Sequence, residues 1–260
     1  MDTAPPSFTA ISTILGLAVF SGLLLVFIGG SSRYQRNLDE IEGDTEIDIS
    51  AKWIERKYLN LYYHHKVNDF NRERKSAKKG GVVFLGDSIT DLMDVSVYYP
   101  SLKAVNRGIS GDTTRGVLNR MDTVYDMAPS VIVLLIGVND LMNEHRTPEN
   151  IAISYEQILS ELRDELPEVQ IVCQSVYPCY DGAVYKAAYL KEDIVMLNTY
   201  IQTLAEQYGC IYADTYSVLT DENGLMNPEY CEDGVHPVGA GYEAAKDYIG
   251  PILEAISVLR

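Results

Sequence analysis

From Gly80 onward the chain alternates short apolar runs with longer stretches of helical spacing, and that alternation restricts the fold more than any other feature. Val82–Leu85, Lys103–Val105, Val131–Ile136, Gln170–Val176 and Ile211–Ala213 have the length and residue types of strands. Between them Thr113–Met127, Pro148–Leu166 and Ala187–Tyr208 carry helical patterns, and a last helix is predicted from about Ala240 toward the C-terminus. Strands alternating with helices imply one five-stranded parallel sheet covered on both faces, with right-handed crossovers. The sequence shows no internal repeat and no second domain. In such open sheets ligands gather beyond the carboxyl ends of the strands, so the residues just after each strand are where chemistry is expected.

Those strand ends supply complementary parts. The first run leads into Gly86-Asp87-Ser88-Ile89-Thr90, in which Gly86 permits a sharp turn and Ser88 opens a helix. The second leads into Asn106-Arg107-Gly108-Ile109-Ser110-Gly111, the third into Gly137-Val138-Asn139-Asp140, and the last into Asp233-Gly234-Val235-His236-Pro237. Ser88 is the candidate nucleophile and needs a base, because an alcohol is barely ionised at neutral pH. His236 is the candidate base, and Asp233 could hold its tautomer and stabilise the imidazolium. The backbone N–H groups of Ser88 and Gly108 and the side-chain amide of Asn139 are the candidate oxyanion donors. Each block alone has a structural explanation: a serine there is most often an N-cap, and the glycine-containing blocks are turn signals. Asp87 and Asp140 are read as cap or turn carboxylates. His64, His65 and His145 lack such a context and are read as surface or packing residues.

Gly-Asp-Ser-Ile, Gly-x-Asn-Asp and Asp-x-x-His, in this order, resemble the motifs of the SGNH hydrolases of the GDSL esterase/lipase superfamily, with Ser88, Gly108, Asn139 and His236 in the four defining positions. Ile89 stands where the family name has leucine. The resemblance covers about Gly81 to Leu259, and Asn106–Asn119, with Gly111-Asp112-Thr113-Thr114, is similar to the compact bacterial branch related to platelet-activating-factor acetylhydrolase subunits and lysophospholipase-like esterases. The resemblance implies a flavodoxin-like, three-layer α/β/α sandwich, serine esterase chemistry through an acyl-enzyme, and neither metal nor cofactor. It also implies an ester of a lipid or carbohydrate as substrate, with short acyl groups such as acetyl favoured. The same triad permits acyl transfer to a sugar hydroxyl. A phosphate-holding module of flavodoxin-like fold is a further reading, which Asp87 and Asp91 disfavour because they flank the loop and would repel a phosphate.

The N-terminal part follows a different plan. Thr3–Ser32 has no charged residue, and residues 9–30, after a short tail over 1–8, are predicted to form one transmembrane helix that remains attached. Arg33 and Arg36 favour a cytoplasmic body by the positive-inside rule, whereas an exported hydrolase requires the opposite orientation. Residues 31–50 read as an acidic linker. Residues 51–79 read as an amphipathic helix with a basic end, its stripe formed by Trp53, Ile54, Tyr58, Leu61, Tyr62 and His65. That helix either rests on anionic lipid or, as favoured here, packs on the acidic domain of residues 80–260.

The formal net charge of −16 disfavours a nucleic-acid partner. The four cysteines show no paired C-x-x-C spacing, so they can all be free thiols, and Cys179 and Cys231 are the pair a disulfide would join in an oxidising compartment. The tyrosines at 98, 99, 177, 180, 185, 216 and 230 fall near the catalytic-edge loops, as pocket lining or, more commonly, as half-buried covering. The sequence leaves the oligomeric state open.

Overall fold

A computed structural model describes residues 46–74 and 79–258, with side chains described over 57–74 and 79–256. Its centre is the short strand β1 (Val82–Gly86), buried along its whole length. It lies between β2 (Ala104–Gly108) and β3 (Val131–Leu135), followed outward by β4 (Gln170–Gln174) and β5 (Ile211–Ala213). The described strands thus form a five-stranded sheet in the order β2-β1-β3-β4-β5, and every pairing is parallel. Strand alternation sends Val83, Leu85, Ile132 and Leu134 to one core, and Val82, Phe84, Val131 and Val133 to the other.

The helices cover these two faces. In chain order the described helices are α1 Glu46–Arg74, α2 Ser88–Asp91, α3 Val95–Tyr98, α4 Thr114–Leu118, α5 Asp122–Tyr125, α6 Val138–Met142 and α7 Pro148–Glu165. A single 3₁₀ turn at Ala188–Leu190 then leads into α8 (Lys191–Gln207), and α9 (Thr215–Leu219) and α10 (Gly239–Val258) complete the described chain. Helix α7 starts where Thr147 caps Asn150 N–H and Pro148 presets the first turn. It buries Ile151, Tyr155, Ile158, Leu159 and Leu162 at helical spacing against the first core, beside Ile194, Leu197 and Ile201 of α8. Helix α10 closes the second core with Ile249, Leu253 and Ile256.

Several boundaries differ from the sequence expectation. The predicted helix over 113–127 is divided into α4 and α5, with i→i+3 bonds from Arg120 N to Val117 O and from Thr123 N to Arg120 O, both 3.0 Å. There the Arg120 side chain turns fully inward. Its guanidinium meets Asp112 at 2.7 Å, Arg107 O at 2.9 Å and Gly86 O at 3.0 Å, so one cation joins the carboxyl ends of β1 and β2. Strand β2 also runs three residues beyond its predicted end, through Asn106 to Gly108.

Helix α1 begins at Glu46, inside the stretch assigned to the acidic linker, and Lys79 lies in a bend, not in the helix; residues 75–78 are outside the described residues. The docked part of α1 belongs with the catalytic body in the unit that begins at Ile54. Its inward stripe is Leu59, Tyr62, Tyr63, Lys66 and Phe70, whereas Tyr58, Leu61 and His65 of the predicted stripe are exposed. Phe70 decides the register: it is buried under the Arg107 guanidinium at 4.5 Å. Packing on the acidic body is therefore the arrangement found. Among the described residues no helix is long and apolar enough to cross a membrane, and the 1–8 tail and the 9–30 segment lie outside them.

Arg120→Met leaves Asp112 as an unpaired buried carboxylate, and is expected to cost about 3–5 kcal/mol in urea unfolding. Addition of Asp112→Asn should recover part of that loss. Equal stability of Arg120→Met and wild type would show that the pair does not hold the strand ends.

Candidate active site

Ser88 follows β1 and meets the loop that carries His236. Asp87 caps α2 by accepting Ile89 N–H at 3.0 Å, so the capping role falls to the aspartate and the serine hydroxyl remains available. Ser88 occupies the first helical position, where its N–H has no intrahelical acceptor. Its Oγ lies 2.8 Å from His236 Nε2, and His236 Nδ1 lies 2.6 Å from Asp233 Oδ2. A carboxylate only accepts, so Nδ1 carries the imidazole proton and Nε2 presents its lone pair to the serine hydroxyl.

The His236 ring is fixed by its own loop. Asp233 Oδ1 accepts the N–H groups of Val235 and His236, both at 2.8 Å. Burial would raise the Asp233 pKa, but the hydrogen bond and charge of His236, with these two N–H groups, hold it below the ordinary carboxylate value. Gly234 has φ +112°, and a Cβ there would lie 2.5 Å from Tyr185 O, so no other residue fits this turn. The 180–187 segment grips the loop through Tyr180 N to Gly234 O, Ala183 N to Glu232 O and Val184 N to Asp233 O. Tyr185 stands edge-on to the His236 ring, with centroids 5.7 Å apart. Of the other tyrosines on the catalytic edge, Tyr99 packs against Phe84 with the rings tilted by 33°, Tyr177 donates to Gln174, and Tyr216 donates to Gly224 O; these are covering contacts.

The oxyanion donors need one correction. The Gly108 N–H, expected to face the site, donates instead to Asn106 Oδ1 at 2.8 Å. The cause is the longer β2: Gly108 pairs with Gly86 inside the sheet, packed so tightly on α2 that a Cβ would lie 2.2 Å from Asp91 N. The loop therefore begins at Ile109. Within it Gly111 has φ +80°, and its N–H has no partner among the described residues. The adjoining Asp112 carbonyl accepts Asn139 Nδ2 at 3.0 Å, while Asn139 Oδ1 accepts Asn143 Nδ2 at 2.9 Å. This orients the Asn139 amide and leaves its second hydrogen uncommitted by these contacts. In the sequence the available signal for this donor is the second glycine of the block, Gly111, followed by Asp112, a turn-forming pair.

The remaining carboxylates are structural in their contacts. Asp140 is buried and accepts Thr114 N–H at 2.9 Å and Thr114 Oγ1 at 2.6 Å, fixing the start of α4, and it pairs with Arg146. Burial pushes Asp112 up to about 6 against the lowering effect of Arg120, and pushes Asp87 up to about 7. Cys173, Cys179, Cys210 and Cys231 are free thiols in this structure, and Cys231 Sγ accepts Gly234 N–H at 3.2 Å.

The family model for the GDSL-like lipase/acylhydrolase family matches residues 84–244, which include every group described around Ser88. The chain belongs to this family. Its relatives include platelet-activating factor acetylhydrolase IB subunit alpha2 of Bos taurus, 28% identical over 172 residues, covering 64% of this chain and 72% of that protein. A structure from Streptococcus pneumonia assigned provisionally to platelet activating factor is 27% identical, with a TM-score of 0.74, covering 79% of this chain and 99% of that one. Acetylxylan esterase Axe2 from Geobacillus stearothermophilus shares the fold at 20% identity and a TM-score of 0.54, covering 69% of this chain and 94% of that one. The chain is thus a hydrolase of ester bonds, and the phosphate-holding module is set aside.

Asp87 yields a signed pH effect. An unfolded aspartate titrates near about 3.9, so between about pH 4 and pH 7 the folded chain keeps a proton that the unfolded chain releases. Stability contributed by the neutral Asp87 carboxyl is complete below that window and is lost as pH rises through it. Asp87→Asn lacks this loss, so its Tm relative to wild type should rise between pH 5 and pH 8, by on the order of 5 °C. A pH-independent offset in calorimetry would contradict it.

Proposed function

We propose that this hydrolase is a serine esterase that works through an acyl-enzyme, with Ser88 as nucleophile, His236 as general acid-base and Asp233 as its orienting carboxylate. The observation that carries the proposal is the continuous chain from Asp233 Oδ2 to His236 Nδ1 at 2.6 Å and from His236 Nε2 to Ser88 Oγ at 2.8 Å. During attack His236 takes the serine proton as the Oγ–carbonyl bond forms, then returns it to the leaving alcohol. Water, deprotonated by the same imidazole, attacks the acyl-serine and releases the acid. Ser88 N–H, Gly111 N–H and the free Asn139 amide hydrogen serve as oxyanion donors, with Gly111 taking the place expected for Gly108.

Small acyl esters of lipids or carbohydrates fit this site best. Ser88 is only 7% exposed, which favours a small acyl group over a long chain. The names of the relatives, an acetylhydrolase and an acetylxylan esterase, support acetyl esters. We also propose that residues 9–30 anchor the enzyme to a membrane, on the strength of the uncharged Thr3–Ser32 stretch. The full chain should then resist carbonate extraction from membranes, whereas a chain lacking residues 1–45 should be released.

A fluorophosphonate probe should label wild type and leave Ser88→Ala unlabelled; equal labelling would remove Ser88 from the mechanism. In a p-nitrophenyl ester series kcat/KM should be greatest for acetate and fall with acyl length. Asn139→Ala should lower kcat about 10²–10³-fold, the usual loss for one oxyanion donor. Full activity in that variant would exclude Asn139 from the oxyanion hole.

A further inference from the structure

Helix α1 lies before the region matched by the family model, yet it reaches the loop that carries Gly111. Tyr62 OH donates to Asp91 Oδ2 at 2.8 Å, and Lys66 Nζ lies 2.7 Å from Asp91 Oδ1. The same Asp91 carboxylate accepts Ser110 N–H at 3.0 Å and Ser110 Oγ at 2.8 Å. Ser110 immediately precedes Gly111, and Leu59 of α1 covers Gly111 so closely that a Cβ would lie 3.0 Å from its side chain. Two residues of α1 therefore hold the carboxylate that holds the loop, while a third rests on the glycine.

We infer that Tyr62, Lys66 and Asp91 are positioning residues for the oxyanion hole, through which α1 fixes the direction of the Gly111 N–H. The inference rests on the acyl-transfer function proposed for the Ser88 site. Its physical basis is the burial and charge of Asp91. That side chain is 6% exposed, so a carboxylate there needs several donors to offset its lost hydration. Lys66 supplies the opposing charge and Tyr62 a phenol that burial, followed by the charge of Asp91, keeps protonated and able to donate. With both present the negative charge of Asp91 is bound locally and the Ser110 N–H stays fixed to it. Without them the carboxylate is drawn toward water, Ser110 loses its anchor, and the adjoining amide no longer points to one place. An oxyanion hole depends on donors fixed before charge develops, so the loss appears in the transition state more than in substrate binding.

The experiment compares full-length wild type, Lys66→Met, Tyr62→Phe, the double variant, Lys66→Arg and Ser88→Ala. With p-nitrophenyl acetate the double variant should lose about 10- to 100-fold in kcat, with KM changed less than about twofold. Lys66→Arg should restore most of the loss of Lys66→Met, since it keeps the charge. Independently of turnover, amide exchange in the peptide covering residues 108–113 should speed up in the double variant and remain slow in Ser88→Ala. Unchanged exchange there would overturn the inference. So would an activity loss in proportion to the unfolded fraction, or one carried by KM. Activity that survives Ser88→Ala would instead defeat the proposed nucleophile while leaving the exchange result to decide the clamp.

Discussion

The arrangement of the catalytic edge depends on one buried cation. The Arg120 guanidinium binds the carbonyls of Gly86 and Arg107 and the Asp112 carboxylate. Gly86 ends the strand that delivers Asp87 and Ser88, whereas Asp112 lies in the loop whose carbonyl receives Asn139. A single side chain thus refers Ser88 and Asn139, the proposed nucleophile and oxyanion donor, to a common point. Few groups other than arginine could do this, because several donors must leave one plane in different directions. The Gly86 carbonyl also accepts Ile109 N–H at 3.1 Å, so the cation adds a second donor there and ties the strand end to the loop after β2.

His236, the proposed base, is held by main-chain bonding between two loops. The 231–236 loop has little secondary structure, yet the 180–187 segment binds it through repeated backbone hydrogen bonds. Asp233 completes the lock from inside, with one oxygen on backbone N–H groups and the other on the imidazole. The result resembles a short strand pairing more than a flexible loop. This explains how a histidine on an irregular segment can meet a serine on a helix without a supporting helix of its own.

The sheet and its motifs were legible in the sequence because the determining signals are local: apolar runs of strand length, helical spacing between them, Gly86 and Asn139 at the ends of their runs, and Asp233 with His236 three residues apart in one glycine-containing loop. Gly108 was misassigned because the end of β2 is set at a distance. Asn106 turns its amide onto Thr90 O at 2.6 Å and Met93 O at 2.9 Å while its oxygen takes the Gly108 N–H. No periodicity reports such a side-chain clamp. The register of α1 failed to appear for a related reason. Its inward face is chosen by Asp91, Arg107 and Gly111 on the body, so a lysine points inward and Leu61 outward, against the usual order of hydrophobicity. Arg107 and Arg120 were hidden likewise, since their burial requires partners from separate elements.

The Ser88–His236 contact joins residues 148 positions apart. Closing so long a loop is entropically costly and cannot begin during synthesis until the His236 segment has left the ribosome. Ser88 can therefore reach its place at the start of α2 well before the proposed base, His236, has been synthesised. On the proposed mechanism, that separation ties reactivity to completion of the fold, since the nucleophile and its base meet only once the C-terminal part of the chain is in place.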